Sequence, residues 1–371
     1  MSRAGFERLG EIVRKEFRQV FRDPRMTRVL FVMPLLQLVV FGYAVSTDVR
    51  RTATFVVDHD RTRASRELVE SMTASSYFRV VGRSDRPADL LRALDHGEAV
   101  VGLEIPARFA ADLAAGRRTS VQVLVDGTNS NTASVALGYA QRIVREFGAK
   151  SIAVRVTPAV ELRERAWFNA PLASQDYNVP AVIGTILFLI CLLLTSLAVV
   201  REREIGTLEQ LMVSPLRPLE LIAGKAIPFA VIGLVDMVLI TLLALAWFGV
   251  PFRGNPLLLL GGTIVYLLSG LGIGLLISTV SRTQQEAFLA SFLVYMPAVL
   301  LSGFMFPVSS MPPFFRALTL LNPVRHYLEI VRAVFLKGAG LGALWPQLVT
   351  LLVMGIAILS LAASRFRKTT E

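Results

Sequence analysis

Residues 179–200 form a run of twenty-two residues without one charged side chain (VPAVIGTILFLICLLLTSLAVV), ending abruptly at Arg201. A hydrocarbon slab about 30 Å thick takes about 20 apolar residues of helix at 1.5 Å rise. Inside it every backbone N–H and C=O must bond within the protein, so only helices and closed barrels cross. Five further apolar stretches follow, at 29–45, 226–250, 257–280, 287–308 and 341–363, with Asp236 the one charge inside them. Uncharged runs of this length oppose the alternative of buried helices in a large soluble protein. The expectation is a polytopic α-helical membrane protein with six transmembrane helices. The first run is not expected to be a cleaved leader, because the 28 residues before it carry four acidic side chains, unlike a short basic n-region.

A net charge of +11 would suggest nucleic-acid binding in a soluble protein, but 53% of the residues are hydrophobic and the charge follows topology. With the N-terminus in the cytoplasm, sixteen Lys and Arg fall in the cytoplasmic pieces and five in the short opposite loops. The positive-inside rule therefore places both termini in the cytoplasm. The remaining eighteen bases lie in a long segment that the rule does not count. No segment interleaves bases with aromatics as a nucleic-acid groove does, so the expected environment is a lipid bilayer.

The expected divisions are a cytoplasmic amphipathic helix at 1–28, the first span at 29–46, an extracytoplasmic α/β domain at 47–178, spans two to six at 179–363, and a cytoplasmic tail at 364–371. In the inserted segment acids and bases nearly balance, and strand-like runs at 54–57, 78–81, 100–105 and 121–125 alternate with helical ones at 63–73, 87–94, 107–115 and from 131. It has no phosphate loop or nucleophile elbow. It either meets a substrate or accessory protein, or only shapes the outer mouth.

Two polar segments carry more pattern than a passive loop needs. In the N-terminal stretch Phe6, Leu9, Ile12, Val13, Phe17, Val20 and Phe21 share one helical face, as suits a helix in the membrane interface. The loop 201–225 (REREIGTLEQLMVSPLRPLELIAGK) holds four bases and four acids. Within it a short helix can start at Gly206-Thr207 with Glu209 in its first turn, before Pro215 and Pro218 break the chain. The residues alone leave it either a docking element or a solvated connection. The outer segment 309–340 has a cap signal at Asn322-Pro323 and an apolar stripe of Val324, Tyr327, Leu328, Val331 and Phe335. A helix of about 13 residues there is too short to span, so it lies at the outer interface, re-enters, or anchors the last span.

The loop motif, with LSGFMFPVSSMPPFFRALTLLNPVRHYLEIVRAVFLKG at 301–338, resembles the permease subunit of an ABC-2 type transporter, in the drug-efflux-like subgroup with a large periplasmic domain between the first two spans. The resemblance covers essentially the whole chain. It implies that Arg203, Glu204, Gly206, Thr207, Leu208, Glu209, Gln210 and Leu211, closed by Pro215 and Leu216, receive the stroke of a separate ATPase. It also implies a connector role for the first helix, re-entrant helices in 309–340, and a pathway lined by the second and fifth spans, including Thr195, Phe292 and Met296. A bacterial inner-membrane exporter of amphiphilic or drug-like molecules is the implied function. The partners would be an ATP-binding cassette ATPase carrying the ATP-Mg and a second permease subunit, identical or paralogous. The periplasmic domain leaves room for a periplasmic adaptor.

The chain is not expected to be catalytic alone. Gly224-Lys225 lacks the upstream glycine and the following Ser or Thr of a phosphate loop. Cys191 is the only cysteine, and His59, His96 and His326 lie far apart, so no metal or cofactor is expected in this chain. Asp236 is a carboxylate well inside a span, the feature an ion-gradient-driven secondary transporter would use. That transporter, or a non-transporting sensor built on the external domain, are the competing readings.

Overall fold

A computed structural model describes residues 3–22, 24–44, 51–128, 130–151, 168, 174–206 and 218–368. They divide into two compact units, Met1–Ser46 with Ala166–Glu371, and Thr47–Arg165.

Among the described residues the larger unit is built of helices joined by short connections. Helix α1 (Arg3–Arg22) is followed by α2 (Pro24–Ala44), whose proline supplies the first-turn residue that needs no N–H partner. The other long helices are numbered here by their order in the whole chain: α7 (Ser174–Ile205), α8 (Pro218–Phe248), α9 (Pro256–Val280), α10 (Gln284–Leu300) and α13 (Leu341–Lys368). Between the last two lie α11 (Pro313–Thr319) and α12 (Pro323–Arg332). Among the described residues four helices are long and apolar enough to cross a membrane: Ser174–Ile205, Ile222–Phe248, Pro256–Val280 and Leu341–Arg365. The apolar part of α2, Leu30–Ala44, is shorter.

The stretch expected to span at 287–308 is placed differently. Its helix starts earlier, where the Thr283 hydroxyl caps the Glu286 N–H and the Glu286 carboxylate accepts from Arg282 N at 2.7 Å. It also stops eight residues sooner, since the helix ends at Leu300, Ser302 Oγ turns back to Val299 O, and Gly303 takes φ +82°. An apolar run thus continued past the end of the helix.

Helix α7 is the hub, packed on α2, α8, α9, α10 and α12, whereas α13 lies at the edge against α9. Close approach of α7 and α9 depends on Gly274, where a Cβ would lie 2.9 Å from Thr195 Cβ and 3.0 Å from the Leu192 carbonyl oxygen. The stripe of α12 turns fully inward, with Val324, Tyr327, Leu328 and Val331 all buried, and Tyr327 stacks on Tyr266 of α9 at 4.0 Å. Their hydroxyls are satisfied by Thr263 and by the Gly184 carbonyl, each at 2.8 Å. Asn322 caps α12, and a single π-helical turn, Ala333–Lys337, ends it at Gly338. Arg332 fastens this segment to α7, lying 3.7 Å from the Tyr177 ring centre and donating to the Gly303 carbonyl at 3.0 Å. Exposed Tyr43 and Trp247, at the C-terminal ends of α2 and α8, share a 3.1 Å hydrogen bond, the amphipathic pairing found at a membrane surface.

The smaller unit is a four-stranded sheet of β1 (Thr52–Asp58), β2 (Phe78–Ser84), β3 (Val101–Ile105) and β4 (Gln122–Val125) in the order β2-β1-β3-β4. The three inner pairings are parallel for β1 with β2 and β3, and antiparallel for β3 with β4. Helices α3 (Arg63–Ala74), α5 (Phe109–Ala114) and α6 (Ser130–Ser151) share one core with the sheet, built on Leu68, Met72, Phe78, Leu103 and Phe109. Helix α4 (Pro87–Asp95) covers the other face and seats Leu90 on Gly102.

Gly274→Val should separate α7 from α9 and cost about 1–3 kcal/mol, the usual range for overpacking. The thermal midpoint of the detergent-solubilised chain reads it, with Gly261→Val on the same helix, where a Cβ meets nothing within 4 Å, as the silent control.

Candidate functional site

Most of the buried charged side chains of the helical unit gather where α1 crosses the first turns of α8 and the last turn of α7, with Asp236 apart from them. Glu16 interrupts the inward stripe of α1, lying four residues from both Ile12 and Val20. It is 3% exposed and accepts from Lys225 Nζ at 3.2 Å. Lys225, 2% exposed, also pairs with Glu202 Oε2 at 2.8 Å. The other oxygen of Glu202 accepts from Lys15 at 2.8 Å. Two turns earlier on α1, Arg8 meets Glu220 at 3.3 Å, in the first turn of α8 where the helix dipole favours an acid. Three bases of this cluster thus answer three acids. Gly224 lets Ile12 lie against α8, since a Cβ there would come within 2.5 Å of the Ile12 methyl. Both ends of the 201–225 loop are thereby fastened to one face of α1.

A second set of contacts holds the end of α7 to the turn between α9 and α10. Arg203 donates to the Ser281 carbonyl at 2.6 Å. The Glu204 carboxylate accepts from the backbone N–H of Gln284 at 2.8 Å and from its side-chain amide, capping α10 from outside. Gly206, at φ +78°, then closes α7.

Of the residues the sequence places in this loop, Arg203, Glu204 and Gly206 are therefore built into the helix end. Thr207, Leu208, Glu209, Gln210, Leu211, Pro215 and Leu216 lie outside the described residues. The four pathway positions are not brought together by contacts. Thr195 is buried against Gly274 and bonds the Cys191 carbonyl at 2.7 Å. Phe292 packs between Phe288 and Tyr295, and Met296, 53% exposed, lies on the outward face of α10 with Leu289 and Leu293. Asp236 is 1% exposed on α8, and among the described residues neither carboxylate oxygen has a hydrogen-bond partner. The sequence reading passed over Arg8, Glu16, Glu202, Glu220 and Lys225. Two signals were present: one acid inside an otherwise apolar stripe, and a loop whose bases and acids cancel.

A polytopic helical bundle with charges paired across its helix ends has the build of an integral membrane protein. Residues 26–364 match the family described as "ABC-2 family transporter protein". The chain belongs to that family of transporter permeases. It is 34% identical over 364 residues to the "Probable multidrug ABC transporter permease YbhR" of Escherichia coli (strain K12), covering 98% of this chain and 99% of that one. It is 34% identical over 329 residues to the "Probable multidrug ABC transporter permease YbhS" of the same strain, covering 87% of each. The "Inner membrane transport permease YhhJ" of that strain is 31% identical over 376 residues, with 96% of each chain covered.

Lys225→Met leaves Glu16 without its cation and should cost about 3–5 kcal/mol. Adding Glu16→Gln should restore part of that loss in a double-mutant cycle on the thermal midpoint. Equal midpoints for wild type and Lys225→Met would mean that the cluster holds nothing.

Proposed function

We propose that this chain is one membrane half of an exporter whose power comes from a separate ATP-binding cassette ATPase seated on the 201–225 loop. The observation that carries the proposal is the double attachment of that loop. Ion pairs fix its two ends to α1, and Arg203 and Glu204 fix its first end to the 281–284 turn. A push on such a loop moves α1, α7, α8 and the start of α10 together instead of being lost in a flexible connection. The partner supplies and binds the ATP-Mg, and a second permease subunit, identical or paralogous, completes the path. The printed names of the relatives, multidrug ABC transporter permeases and an inner membrane transport permease, favour a bacterial inner-membrane location and amphiphilic or drug-like cargo. In this reading α2 and α10 complete a set of six spans, both termini are cytoplasmic, and the α/β unit is periplasmic, where an adaptor can meet it.

Reconstitution with the ATPase tests the coupling. Glu209→Ala should reduce both stimulated ATP hydrolysis and dye export at least tenfold, with the solubilised chain as stable as wild type. Unchanged export after Glu204→Ala plus Glu209→Ala would end the coupling reading of this loop. Orientation is read separately in intact cells with a membrane-impermeant maleimide, since Cys191 is buried. Glu70→Cys in the α/β unit should label at once and Thr370→Cys only after permeabilisation.

One observation favours the ion-driven alternative, the buried Asp236 without a hydrogen-bond partner among the described residues. Asp236→Asn in ATP-loaded vesicles without an ion gradient should leave export running. Transport that depends on a proton or sodium gradient and vanishes in Asp236→Asn would favour that alternative.

A further inference from the structure

Helix α1 carries three faces. Arg8, Ile12, Glu16 and Val20 point inward, and Val13, Phe17 and Phe21 form an aromatic flank continued by Phe31 of α2 through stacked rings 6.3 Å apart. The third face borders a cavity of about 750 Å³, lined by Glu11, Arg14, Lys15, Arg18, Gln19 and Arg22 of α1 together with Pro24 and Arg201. Five bases and one acid line it. Lys15 is engaged by Glu202, and Arg14 lies 3.7 Å from Glu11 at the exposed rim. Arg18, Arg22 and Arg201 have no acidic partner among the described residues. Its size suits a small amphiphile, which fills sites of roughly 300–1,000 Å³.

The position of the cavity identifies the ligand. Arg201 is the first charge after the twenty-two apolar residues of α7, so the cavity lies at the edge of the apolar slab. Pro24 begins α2, whose Val32, Met33, Leu36 and Val40 are exposed as a lipid-facing stripe is. Phe21, 51% exposed, precedes Arg22 on α1 and stacks on Phe31 of α2. Guanidinium groups grip phosphate oxygens in pairs, and an aromatic flank suits acyl carbons just below a headgroup. We propose that this cavity holds the headgroup of an anionic phospholipid, with Arg18, Arg22 and Arg201 on its phosphate oxygens and Phe21 against the first acyl carbons. A soluble anion would not use the aromatic flank. Because Lys15 lines the cavity and also bonds Glu202, a bound headgroup touches the same cluster that holds the loop. Only the leaflet depends on the orientation proposed above; the binding does not.

Native mass spectrometry of the purified full chain with cardiolipin, phosphatidylglycerol or phosphatidylcholine measures the binding. The wild type should retain the two anionic lipids at least tenfold over phosphatidylcholine. Arg18→Gln, Arg22→Gln and Arg201→Gln combined should bind them on the order of a hundredfold more weakly, from the known contribution of each base near a charged surface. Replacing the same three residues by Lys should keep most of the preference, and should that triple Gln variant not fold, Arg201→Gln alone against Arg201→Lys makes the same comparison. Anionic lipid held equally by the Gln and wild-type chains overturns the proposal. So does displacement of the lipid by inorganic phosphate, which marks a soluble-anion site, or loss of a co-purifying ATPase in the Gln variant with lipid retention unchanged, which marks a protein contact.

Discussion

An ammonium group that is 2% exposed at the end of a membrane helix persists only if carboxylates meet it, and Lys225 has two, Glu16 and Glu202. These come from three separate helices, so satisfying the charge fixes the position of α1 against α7 and α8. Such pairs add little net stability over an apolar replacement, because desolvation offsets much of their attraction. What they supply is position: moving α1 by a few ångströms would leave the buried Glu16, Glu202, Glu220 and Lys225 without their partners. The seating of Ile12 on Gly224 and the fixed ends of the 201–225 loop follow from that requirement.

Deeper in the bundle the same rule is met by neutral groups. Tyr327 and Tyr266 stack, and each hydroxyl finds an oxygen on a neighbouring helix, while Ser196 and Ser291 bond across α7 and α10 at 3.0 Å. Hydroxyls on helices can also fall back on a carbonyl one turn earlier, as Thr195 and Ser291 do. Asp236 departs from this pattern, with no hydrogen-bond partner for either oxygen among the described residues. A group so placed is costly, and bundles that keep one commonly use it.

Helices α7, α8, α9 and α13 were legible because charge-free length is a one-dimensional property, and the strands of the α/β unit because runs such as Thr54 to Val57 are rich in β-formers and bounded by turns. The end of α10 was not, because the chain stays apolar through Phe304 and Met305 while Ser302 and Gly303 break the helix by hydrogen bonding and backbone conformation rather than by hydropathy. Val324 and Tyr327 were correctly grouped on one face, yet only packing shows that this face turns into the core. The ion pairs were hidden for a further reason, since Glu16 and Lys225 are 209 residues apart and no local period links them.

Charge reading and structure also divide the basic residues differently. Counting Lys and Arg by loop treats every base before α2 as one topological signal. On the helix they separate: Arg8 and Lys15 neutralise acids and are spent on the fold, while Arg18 and Arg22 point to another face and retain their full charge. The bias that orients a membrane protein is averaged over a segment, so it is indifferent to which face a base occupies. Pairing and ligand binding are not, because both need the charge at a fixed position. A short helix pinned on one side by buried ion pairs can therefore present the rest of its bases as a rigid surface, which a loop of equal charge could not do.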